Sequence, residues 1–177
     1  MKTFDKKNLR YIISVSLGFV LSLLTLIFVF LPAVFEEGQP DSSIFNLMLG
    51  NEKLPGSPIL IIGFVSLIIG VIITLTTLTL LLLNKSNSKL LTILSVSSIA
   101  TILIGSAILT CAIFISGFTE LNSALGFNQG QWGIKAGTFL VPIFGLLSVF
   151  TLFPSAVVIL REKDEADKEK AEANSIE

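Results

Sequence analysis

The sequence predicts an all-α fold, a four-helix transmembrane bundle in up-down-up-down order. Three observations carry this. Four apolar stretches, Tyr11–Phe35, Ile59–Leu83, Leu90–Phe118 and Ala136–Leu160, contain no Asp, Glu, Lys or Arg. Each is at least 25 residues long, and about 20 helical residues cross a hydrocarbon core roughly 30 Å thick. A composition of 52% hydrophobic and 14% charged residues, with a mean hydropathy of +0.85, leaves no room for a soluble domain of ordinary size in 177 residues.

The first stretch follows a basic flank, residues 1–10, with Lys2, Lys6, Lys7 and Arg10. Its 25 apolar residues exceed the 7–15 of a signal-peptide core, and Leu31-Pro32-Ala33-Val34-Phe35 offers no Ala-x-Ala cleavage site, so it is expected to be a retained span. Spans two and three are joined by six residues, Asn84–Lys89, and must be antiparallel neighbours. The longer connections are Glu36–Pro58 and Thr119–Lys135. Pro142 and Pro154 fall inside span four, where kinks rather than breaks are expected, because neighbouring hydroxyls or water can satisfy the freed carbonyls. The membrane domain thus covers 11–160, followed by a charged tail, 161–177. That tail is expected to continue span four as a helix for two or three turns before fraying, as a solvated flank or a docking site for a partner.

Orientation follows from the basic residues. Ten of the twelve Lys and Arg fall in the N-terminal flank, the short turn and the tail; only Lys53 and Lys135 fall in the longer connections. Basic residues in short flanks stay on the cytoplasmic side. Both termini are therefore expected in the cytoplasm, with the long connections on the outer face of the plasma membrane.

Small residues recur at helical spacing: Ser14, Gly18 and Ser22 in span one; Gly63, Ser66 and Gly70, continuing to Thr77, in span two; Ser97, Thr101 and Gly105, continuing to Ala112 and Ser116, in span three. Lipid gives helices little hydrophobic reason to associate, so close backbone approach through small residues supplies the contact. These stripes are expected to face the bundle interior. The alternative is a polar path lined by Ser66, Thr74, Ser97 and Thr101.

In the first long connection, Ile44–Leu49 suggests a short helix lying in the headgroup layer, with Phe45, Leu47, Met48 and Leu49 dipping into it. Trp132 stands where an interfacial anchor belongs. Phe45, Asn46 and Trp132 are the outer-face candidates for contact with a partner. The two long connections share Asn-x-x-Leu-Gly, at Asn46–Gly50 and Asn122–Gly126, and both halves would run in the same sense, so an internal repeat is a further expectation.

The chemistry the chain lacks is equally informative. General acid–base catalysis needs a titratable group beside the reacting bond, and the spans carry none. The chain has no His and a single Cys, Cys111, read as a small packing residue. Adjacent Glu36 and Glu37 fall far short of the six to eight oxygens that hold calcium. No catalytic residue, cofactor or metal is expected. A net charge of −1 gives no footprint for nucleic acid. Ion-coupled exporters commonly keep an ionisable residue at mid-membrane depth, and four-span disulfide-forming quinone reductases need paired cysteines; both readings fail.

Phe45-Asn46-Leu47-Met48-Leu49-Gly50 after span one and Gly130-Gln131-Trp132-Gly133-Ile134-Lys135-Ala136-Gly137 entering span four give the chain a resemblance. The layout resembles uncharacterised small four-span membrane proteins of low-GC Gram-positive bacteria and their wall-less relatives, which implies the topology and no activity. Claudin-like and tetraspanin proteins are similar in topology only, since their outer-loop cysteine pairs are missing here. The expected function is that of a non-enzymatic integral membrane protein that associates with itself or with other membrane proteins in the bilayer. The alternative is a channel or transporter subunit with its path at an oligomer interface or along Ser/Thr faces.

Overall fold

A computed structural model of the chain describes residues 6–36, 41–50, 56–83, 88–118 and 132–174. The elements in order are α1 (Lys6–Phe28), β1 (Pro32–Glu36), β2 (Ser42–Ser43), α2 (Ile44–Leu49), α3 (Pro58–Leu82), α4 (Ser88–Phe118), β3 (Trp132–Ile134) and α5 (Ala136–Asn174). Four of these helices are long and apolar enough to cross a membrane, over Leu9–Phe28, Pro58–Leu82, Leu90–Ile113 and Ala136–Pro154. They form a four-helix bundle.

The first apolar run holds two elements rather than one long helix. Phe30 and Leu31 donate to the carbonyls of Ile27 and Phe28, at 3.0 and 3.1 Å, which tightens the end of α1. Pro32 then has no N–H for another turn and disfavours helical backbone at the residue before it. The chain leaves extended, as β1. At α3 the same residue type opens a helix: Pro58 is the first helical residue, where a donor is not needed. α5 continues through Pro142 and Pro154 and runs to Asn174, 14 residues past the apolar stretch and longer than the two or three turns expected.

In cross-section the helices form a ring in which α1 lies beside α3 and α5, and α4 completes it against the same two. Residue pairs fix the directions. Ser14 meets Thr151 and Gly18 meets Ser148, whereas Ala33 meets Thr138, so α1 and α5 are antiparallel. Gly63 packs on Leu109, Gly70 on Ile102, and Thr74 bonds Ser98, so α3 and α4 are antiparallel as well.

Side chains are distributed as in a protein whose solvent is apolar. Phe150 is 71% exposed and Ile93 62%, while Ser22, Thr25, Thr74 and Ser148 are fully buried. In water that arrangement would leave a large apolar surface exposed. Against lipid tails it costs nothing, because Leu, Ile and Phe match the solvent and small or hydroxylated residues let helices approach.

Candidate functional site

Two regions carry the residues singled out in the sequence: the helix seams and a cap at one end of the bundle. In the α3–α4 seam, Gly63, Gly70 and Gly105 are buried where the helices cross. A Cβ built on Gly105 would stand 2.8 Å from the Leu67 nitrogen and 2.9 Å from the Gly63 carbonyl oxygen. Backbone meets backbone there, so only glycine fits. In the α1–α5 seam, a Cβ on Gly18 would collide with Leu152 at 2.6 Å. Ser14 donates to the Thr151 carbonyl, and Ser148 donates to the Gly18 carbonyl at 2.9 Å. Ser22 is buried but bonds within its own helix, to the Phe19 carbonyl.

The third stripe sits differently from its spacing. Ser97 and Thr101 are only partly buried, as is Ser66 in α3. The buried serine is Ser98, 1% exposed, whose hydroxyl lies 2.7 Å from that of Thr74. The interior face of α4 runs through Leu91, Ser95, Ser98, Ile102, Gly105, Leu109 and Ala112; Gly105 and Ala112 of the expected stripe lie on it, while Ser97 and Thr101 sit one residue around from Ser98 and Ile102. Cys111, expected inside, is exposed.

Most of the intramembrane hydroxyls are spent on their own helix. Thr74, Thr77, Thr101, Ser106 and Thr110 donate to the carbonyl four residues back, at 2.7–2.8 Å. This geometry satisfies a hydroxyl in an apolar medium without a partner helix or water. Ser95 differs, with a buried hydroxyl that has no hydrogen-bond partner among the described residues.

The cap is assembled from segments distant in sequence. β1 is the middle strand of a three-stranded antiparallel sheet ordered β2-β1-β3. Val34, Phe35 and Glu36 pair with Ile134, Gly133 and Trp132 respectively. Pro32 and Val34 pair with Ser43 and Ser42, across an irregularity that bends the strand. Below the sheet, the Lys135 N–H and the Thr138 hydroxyl both donate to the Ala33 carbonyl, at 2.7 and 2.9 Å, and tie the entrance of α5 to the exit of α1. Gly133 leaves room for the Phe35 ring, since a Cβ there would lie 2.3 Å from it and the exposed ring would have to move.

Helix α2 is held at both ends. The Ser43 side chain accepts from the Asn46 N–H at 3.1 Å, an N-cap, and Gly50 closes the helix at φ 77 with its N–H on the Asn46 carbonyl. Its apolar face turns into the protein rather than into a headgroup layer: Ile44, Leu47 and Met48 are buried. Phe45 packs against Phe30 and Phe64, with ring centroids 4.7 and 5.9 Å away. Of the four side chains expected to dip into lipid, only Leu49 stays largely free, at 62% exposed, beside exposed Asn46. This short helix sits on an aromatic cluster, so most of its apolar face is buried there and Leu49 alone is left largely exposed.

The charges of the cap are structural in their geometry. Lys135 forms an ion pair with Asp41, and its ammonium lies 5.3 Å from the Phe35 ring centroid. One residue before β2, one in β1 and one after β3 are thereby linked. Both ends of the pair are more than a third exposed, so its contribution to stability is about 0–1 kcal/mol. Among the described residues, no three His, Cys, Asp or Glu gather at a distance that could hold a metal ion.

Trp132 enters the sheet through its backbone, opposite Glu36; the placement of its side chain lies outside the described residues, as does the second Asn-x-x-Leu-Gly, at 122–126. The sheet itself escaped the sequence reading. Its strands are two to five residues long, and β1 hides at the end of an apolar run. The available signal was Pro32, which ends α1, together with Gly133 between Trp132 and Ile134. No protein-family model, curated protein or solved structure matches the chain.

Proposed function

We propose that this chain is a non-enzymatic, multi-pass protein of the plasma membrane whose bundle holds a folded cap on the outer face, and that it acts by associating through that cap with another membrane protein or a second copy of itself. The carrying observation is the cap: two connections separated by α3 and α4 are joined into one sheet, linked by Lys135, Asp41 and Phe35, and clamped to α1 and α5 through Ala33. Passive connections need none of this order. Elements held this firmly keep Asn46 and Leu49 presented at fixed positions on a rigid support, which lowers the entropy lost on binding.

The spans support the same reading. Ser95 apart, the buried hydroxyls described above are bonded to their own carbonyls or across a packed seam, which suits helix packing better than a lined path. Sidedness rests on the basic residues of the flank, turn and tail, whose excess supports cytoplasmic termini. The resemblance to small bacterial four-span proteins agrees with a plasma-membrane location.

The test is gentle-detergent purification of the tagged protein at native expression, with mass spectrometry of co-purifying proteins and the native mass of the complex. A stoichiometric membrane-protein partner or a defined homo-oligomer is expected. A lone monomer that conducts ions or solutes in liposomes would replace this reading with the channel alternative.

A further inference from the structure

We infer that the α3–α4 seam binds one ordered water molecule between Ser95 and Thr77, near the end of the bundle opposite the cap. The Ser95 hydroxyl points to it. That residue is 5% exposed, and its buried oxygen has no hydrogen-bond partner among the described residues. The other hydroxyls of the seam behave differently. Thr74 and Thr77 donate to the carbonyls four residues back, and Ser98 bonds Thr74 across the seam. The Ser95 hydroxyl has turned from the Leu91 carbonyl, which stands four residues back and would satisfy it in the same way. Leaving a hydroxyl unpaired in an apolar interior is costly, so one turned from an available acceptor calls for a partner of another kind.

The register of the seam sets what lies opposite. Gly63 packs on Leu109, Gly70 on Ile102, and Thr74 bonds Ser98. One turn farther along each antiparallel helix, the same register brings Thr77 level with Ser95. Thr77 is 2% exposed and gives its proton to the Ile73 carbonyl at 2.8 Å, so its oxygen is left as an acceptor. No direct bond joins it to Ser95, unlike the Thr74–Ser98 rung beside it. A water at this level accepts from the Ser95 hydroxyl and donates to Thr77 Oγ1. Its second proton suits the lone pair that the Leu91 carbonyl keeps beyond its helical bond, giving the three bonds typical of a buried water. Depth agrees. Ser95 lies five residues inside Leu90 and Thr77 five before Leu82, at the ends of their spans, about 7–8 Å from the span edge. The next rung, about 4–5 Å deeper, is closed by the Thr74–Ser98 bond at 2.7 Å. Water thus reaches the first rung from the headgroup side and goes no farther.

Solid-state NMR of the full chain in phosphatidylcholine liposomes tests this by transferring magnetisation from water protons to assigned side chains at short mixing times. In the wild type, the Ser95 and Thr77 side chains are expected to receive magnetisation, while Thr74 and Ser98 stay at the level of buried Leu109. Ser95→Ala should abolish the transfer to Thr77, and Ser98→Ala should leave it in place. Absence of transfer to Ser95 and Thr77 in the wild type overturns the site, whatever the variants do. Transfer to Thr77 that survives Ser95→Ala overturns the shared water. Transfer that reaches Thr74 and Ser98 equally replaces the closed site with a continuous polar path. None of these results reads association through the cap, which a different experiment tests.

Discussion

Gly105→Ala is the substitution whose cost can be worked most fully from the structure. The new methyl would stand 2.8 Å from the Leu67 nitrogen and 2.9 Å from the Gly63 oxygen, where ordinary contact begins at 3.4 Å. Both obstacles are backbone, so α3 and α4 must part by about 0.5–0.6 Å at their crossing. A gap of that size forfeits roughly a quarter of each dispersion contact along the seam. Overpacking of this kind costs about 1–3 kcal/mol, and the better helix propensity of alanine returns roughly 0.5–1 kcal/mol. The expected net loss centres near about 1 kcal/mol, within a range of about 0–2.5 kcal/mol. Gly63→Ala on the facing helix is the control. Its methyl would meet Ile108 Cγ2 and Leu109 Cγ and Cδ2 at 2.9–3.1 Å, side-chain atoms rather than backbone. Its net cost should be smaller than that of Gly105→Ala, because side chains can shift without parting the helices. Unfolding by SDS titration in mixed micelles, followed by far-ultraviolet circular dichroism, measures both. If Gly105→Ala costs no more than Gly63→Ala, the backbone-to-backbone seam is wrong.

Four further outcomes can be checked in the same preparation. Ser98→Ala deletes the Thr74–Ser98 bond and should cost about 0.6 kcal/mol, at most about 1.7 kcal/mol, whereas Thr76→Val, at an exposed hydroxyl bonded to Ile72, should be neutral in the same titration. Gly133→Ala should disturb the cap by displacing the Phe35 ring, and Phe35→Ala should relieve that cost in a double-mutant cycle. Asp41→Asn breaks an exposed ion pair and should lower stability by less than about 1 kcal/mol, an effect that shrinks as salt rises. Cysteines placed at Ser66, Thr74, Ser97 and Thr101 in a Cys111→Ser background should resist a membrane-impermeant thiol reagent; labelling at all four would favour the polar path.

The bundle was legible in the sequence because the bilayer imposes a length and a composition that few other settings produce. Rotation about each helix was less so. Ser97 and Ser98 are adjacent and chemically identical, and only the meeting of Ser98 with Thr74 decides which one faces inward. Hydrophobic periodicity cannot decide it, because the outward face is as apolar as the core. Along the chain, the end of α1 was masked by Val29–Phe35, which stay apolar while passing from turn to strand. Pro32 marked the change, but proline also occurs inside α5 without ending it. The cap was the least legible part. Its strands draw their partners from the far side of α3 and α4, and α2 buries a face that reads as membrane-seeking until Phe30 and Phe64 are found beneath it. Of the outer-face candidates, Asn46 is presented outward, while Phe45 serves the cluster under α2.

Site-specific photo-crosslinking in living cells bears most directly on whether the cap is the seat of association. A photoreactive residue at Asn46 or Leu49, both exposed on α2, should yield a discrete protein adduct of defined mass. The same residue at Phe150, exposed on the membrane-spanning part of α5, should yield none. Adducts at Phe150 with none at Asn46 or Leu49 would move the interface into the membrane and contradict the role assigned to the cap.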